Sequence, residues 1–82
     1  MHRIITTTQL EEKRKYLFLS ALPYIEKRMM FCGKKVMDIV LSLNGVELAS
    51  KTEVTSDKQV MQTFVISYAG EKILKEQNYV RN

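Results

Sequence analysis

The dipeptide Asn44-Gly45 constrains this chain more than any other feature, because it sits between two apolar segments and carries the strongest two-residue signal for a type I′ hairpin turn. Read alone, Val36 to Leu43 passes for a helix, since positions 36, 39, 40 and 43 are all apolar. A turn at 44–45 instead makes antiparallel strands of 35–43 and 46–54. Leu43 then opposes Val46, Leu41 opposes Leu48 and Ile39 opposes Ser50. One face collects Met37, Ile39, Leu41, Leu43, Val46 and Leu48. The other collects Asp38, Ser42, Glu47, Lys51 and Glu53, with Asp38 directly opposite Lys51. A slip of one residue mixes the two faces, so the pattern specifies the register.

Upstream, Thr8 followed three residues later by Glu11 reads as a capping box that opens a helix. Leu10, Leu17, Phe18, Ala21, Leu22, Ile25, Met29 and Cys32 follow helical spacing as far as Gly33, which suits a left-handed terminal position. Pro23 removes one backbone donor inside that stretch, so the expectation is a kinked helical segment, or abutting helices over 8–22 and 23–32. Downstream, Gln59 to Tyr68 is rich in Val, Thr, Phe, Ile and Tyr, which predicts a third strand near 60–68. Ser56 with Gln59, and Gly70, also fit a helix over 57–69, which gives an α-β-β-α runner-up. Glu71 to Asn82 contains good helix formers and reads as a C-terminal helix or tail. The predicted fold is α+β: a kinked N-terminal helical segment packed on a small antiparallel sheet, in one domain of 82 residues with mobile ends at 1–7 and 78–82.

Composition bounds the function. A chain of 82 residues hides only about 60–65% of its unfolded surface, so its core must be efficient. One cysteine, Cys32, excludes an internal disulfide and any multi-cysteine zinc site. An unpaired thiol beside five methionines suits a reducing compartment, hence a cytoplasmic setting. The longest apolar run, Tyr16 to Ile25, is ten residues, half of what a membrane-spanning helix needs. His2 is the only histidine and has no companion ligand at metal spacing, and a serine or cysteine nucleophile would lack a histidine base. The three glycines are isolated, so no phosphate loop exists. These readings predict a chain that is not an enzyme and binds no metal or cofactor.

Two surfaces remain as candidates. Tyr16, Leu19 and Met30, widened by Phe31, fall on a second side of the predicted helical segment, beyond the stripe a small sheet can cover. Met29, Met30, Met37 and Met61 add an adaptable component of the kind that suits a binding surface. The expectation is an interaction module, acting as an adaptor, inhibitor or regulatory subunit, that self-associates as a two-fold dimer through this stripe. The alternative is a small basic nucleic-acid-binding protein, with Lys13, Arg14, Lys27, Arg28, Lys34 and Lys35 contacting phosphates and a net charge of +4 supporting it.

Overall fold

A computed structural model describes residues 7–79. The elements run α1 (Thr7–Ser20), β1 (Glu26–Cys32), β2 (Val36–Leu43), β3 (Val46–Ser56), β4 (Gln59–Ile66) and α2 (Tyr68–Glu76). The four strands form an antiparallel meander in the order β1-β2-β3-β4, so β1 and β4 are the edges. The fold class is α+β, as the sequence predicts, and the strand over 59–66 replaces the helical runner-up for 57–69. Asn44 and Gly45 both have positive φ, as a type I′ turn requires. Asp57 and Lys58 repeat that geometry between β3 and β4 without a glycine.

The second helical segment expected over 23–32 is corrected to a strand. The bonds from Ala21 N–H to the Phe18 carbonyl and from Leu22 N–H to the Leu19 carbonyl, both 3.2 Å, tighten the end of α1. The residue before a proline avoids helical dihedrals, and Pro23 follows at once. Tyr24 then takes φ +66°, which turns the chain back along the sheet. Gly33 is left-handed, as read, but it serves the β1–β2 hairpin and not a helix end. Thr8, read as a cap, lies inside α1.

The hairpin has the predicted turn but not the predicted register throughout. Leu43 pairs with Val46 and Ser42 with Glu47, but Leu41 pairs with Ala49, so Leu48 is an extra residue in β3. This bulge inverts the faces of β3 beyond it. Asp38 therefore opposes Thr52, not Lys51, while Lys51 opposes Ile39 on the core side. The inversion is stabilised by α2. Ser67 donates its backbone N–H to the Leu48 carbonyl at 3.0 Å. Its hydroxyl donates to the Glu47 carbonyl at 2.7 Å and accepts from the Gly70 N–H at 3.0 Å, capping α2.

Both helices lie on one side of the sheet, α1 over β3 and β4 and α2 over β3. The core is Tyr16, Leu19, Ile39, Leu41, Leu48, Ala49, Phe64 and Leu74. Tyr16 and Leu19, expected on an exposed stripe, are instead 3% and 0% exposed. The predicted stripe runs on through Pro23. Once α1 stops at Ser20, its rotation is set by the contacts of its own residues with the sheet, and Tyr16 packs on Phe64 of β4 with ring centroids 5.3 Å apart. Leu10 and Leu17, expected inside, are 41% and 53% exposed. The mobile ends predicted at 1–7 and 78–82 fall mostly outside the described residues. Thr7 opens α1, however, and Tyr79 packs edge-on against Phe18 at 5.0 Å.

Candidate functional site

The strand registers place residues in rows across the sheet, and the side facing away from the helices is one candidate surface. Its first row is Cys32, Val36, Val54 and Met61, one residue from each strand and none of them charged. The second row is Met30, Asp38, Thr52 and Thr63, and the third is Arg28, Val40, Ser50 and Val65. Met30, Val54, Met61 and Val65 are between 37% and 56% exposed. An antiparallel sheet with one solvated face normally alternates apolar and polar residues. β2 does so only in part: Val36 and Val40 face outward along with Asp38 and Ser42, while Met37, Ile39 and Leu41 face the helices.

The bulge at Leu48 supplies part of this surface. Without it Lys51 and Glu53 would point outward, and Val54 would not. With it, Lys51 lies 5.6 Å from the centre of the Tyr16 ring and 3.1 Å from Glu53. Gln62 donates to Glu53 at 3.0 Å. The Lys51 hydrogen bond, with that of Gln62, holds the Glu53 carboxyl below its ordinary pKa. Burial pushes the Tyr16 phenol above its ordinary value, with the Glu53 charge adding to it. The charged pair thus sits on the helix side, where its stems cover aromatic surface.

Charge is uneven around the open face. The β1–β2 turn carries Lys34 and Lys35, and the β3–β4 turn carries Lys58 beside one acid, Asp57; both turns border the apolar first row. Glu26 and Glu47, paired through Ser42, lie at the opposite end. The six cations considered for phosphate contact do not converge. Lys13 and Arg14 are on α1, Lys27 and Arg28 point to opposite sides of β1, and Lys34 and Lys35 are in the turn. Lys15, their neighbour, is bonded to Glu71 at 3.0 Å, a contact that raises its pKa.

A concave region adjoins the Asn44-Gly45 turn. It is a groove of about 400 Å³ lined by Leu22, Pro23, Tyr24, Leu43, Ile73 and neighbouring amide side chains. Tyr24 stands at its rim, 91% exposed, in a left-handed conformation that costs a bulky residue about 1–2 kcal/mol. The lining has no carboxylate, imidazole or thiol. Among the described residues no group of three His, Cys, Asp or Glu side chains could hold a metal ion, and no helix is long and apolar enough to cross a membrane. His2 lies outside the described residues.

Of the four residues expected to form a protein interface, Met30 and Phe31 are exposed, on opposite sides of edge strand β1. Sequence reasoning named Met61 as suited to a binding surface but missed Val36, Val40, Val54 and Val65. The signal was present in β2, whose apolar residues fall on both sides, but the position of Val54 depends on the bulge. Comparison with known protein families, with curated proteins and with solved structures finds no match to this chain.

Proposed function

We propose that this chain is a non-enzymatic interaction module, an adaptor, inhibitor or regulatory subunit, that acts by covering a partner protein with the helix-free side of its sheet. The observation that carries this reading is the row Cys32, Val36, Val54 and Met61, which crosses all four strands without a charge and has no layer over it among the described residues. Four strands about 4.8 Å apart, each about seven residues long at about 3.4 Å per residue, give this face on the order of 450 Å², polar residues included. That is about half of what one side of a standard interface contributes. The partner's matching patch is apolar with acidic groups at one rim, since Lys34, Lys35 and Lys58 border the apolar row. A cytoplasmic setting suits the module, because Cys32 is an exposed thiol within that row.

The test compares the native chain with Met61→Lys and Val65→Lys, both at exposed positions of edge strand β4. Each variant is expected to retain its circular dichroism and to lose a stoichiometric protein that the native chain captures from its own cells. Equal capture by all three chains would overturn the proposal. So would capture of DNA or RNA alone, with affinity falling about one log unit per log unit of salt for each phosphate contact.

A further inference from the structure

We infer that β1 is a self-pairing edge: two copies of this chain join antiparallel through Glu26–Cys32 into one continuous eight-stranded sheet. The two edges of the sheet are not equivalent. On β4, the Phe64 N–H donates to the Gln9 side chain of α1 at 3.1 Å, so that edge is partly occupied from within the molecule. On β1, all seven residues are exposed. Met29 and Phe31 face the helix side but lie beyond α1 and α2, and are 51% and 69% exposed. A long exposed edge is a template for another strand, and charged side chains oppose such pairing. β1 carries Glu26, Lys27 and Arg28 beside the apolar Met29, Met30 and Phe31, so its charges limit the registers open to it.

The residues of β1 select the partner and the register. A two-fold axis normal to the sheet keeps each face on its own side, so it must pass through a residue paired with itself. With the axis at Met30, Met29 opposes the partner's Phe31, a thioether against an aromatic ring. Arg28 then opposes the partner's Cys32, and Glu26 reaches the partner's Lys34 in the adjoining turn. Every other centre is worse. An axis at Met29 sets Lys27 against Phe31 and Glu26 against Cys32. One at Arg28 opposes that cation to itself, and one at Phe31 sets Arg28 against Lys34 and Lys27 against Lys35. Like charges directly opposite destabilise a strand pair. Only the Met30 register joins opposite charges and leaves no like pair.

This inference stands apart from the proposed partner surface, because edge pairing leaves the helix-free side of both copies open. It replaces the dimer expected through Tyr16 and Leu19, which are core residues.

Sedimentation of the full chain tests it, with dissociation expected on the order of micromolar or weaker. Met30→Lys places two ammonium groups on the axis and is expected to weaken the dimer several-fold to about tenfold. Glu26→Lys and Lys34→Glu are each expected to weaken it, and the double swap to restore it, which a folding defect would not do. In a Cys32→Ser background, Met30→Cys is expected to oxidise to a covalent dimer, because directly paired Cα atoms lie about 4.5–5.5 Å apart, within disulfide reach. Met29→Cys in the same background is not. A monomer at every concentration overturns the inference. So does a dimer that survives Met30→Lys and Glu26→Lys but is lost in Met61→Lys, and so does equal crosslinking at positions 29 and 30.

Discussion

At the scale of single residues, the two type I′ turns of the meander use different chemistry for the same dihedrals. Asn44-Gly45 is matched to its geometry, whereas Lys58 holds φ +66° with a side chain that disfavours it. Replacing Lys58 with glycine relieves that cost, less the chain entropy that glycine adds. Lys58→Gly is therefore expected to raise unfolding free energy by about 0.5–1 kcal/mol in urea titration, with an unchanged slope. It would also remove one cation from the rim of the apolar row, so stability and partner affinity should move in opposite directions. Tyr16 shows how much one residue's placement matters. It lies six positions from Leu10 and one from Leu17, yet it is buried against Phe64 while both leucines are exposed.

At the scale of elements, what was legible in the sequence was what local patterning dictates. The Asn44-Gly45 turn, the strands flanking it, the strand near 60–68 and a C-terminal helix all follow from short-range signals. Two other features depend on contacts distant in sequence. Met29, Met30 and Phe31 are adequate helix or strand residues, and β1 forms because β2 offers an edge once Pro23 and Tyr24 reverse the chain. The bulge depends on Ser67, nineteen residues beyond Leu48, whose hydroxyl has the Leu48 carbonyl as a second acceptor. Gly70 completes that junction: a Cβ there would run into the Leu48 carbonyl and press on Ile66. Gly70→Ala is accordingly expected to destabilise the chain by about 1–3 kcal/mol in thermal or urea unfolding, although alanine is the better helix former. The same substitution at an exposed helical site would be stabilising. A neutral result at Gly70 would mean that α2 does not seat on the bulge as described.

At the scale of the whole molecule, the described residues form two layers, and the side of the sheet away from the helices mixes apolar with polar residues. Helices α1 and α2 cover one side, and the other presents Met30, Val40, Val54, Met61 and Val65 around a few hydroxyls and one Asp–Arg diagonal, Asp38 and Arg28. The second apolar stripe expected on the helical segment is not there, since Tyr16 and Leu19 are core residues; the exposed Met30, Val54, Met61 and Val65 belong to the sheet instead. The proposed partner surface requires this side to be covered in use. A photo-crosslinking p-benzoylphenylalanine placed at position 61, or at exposed Lys13 on α1, tests that when the chain is irradiated in its own cells. A discrete adduct with another protein is expected from position 61 and none from position 13. No adduct from position 61, or an adduct formed only from position 13, would contradict the proposal.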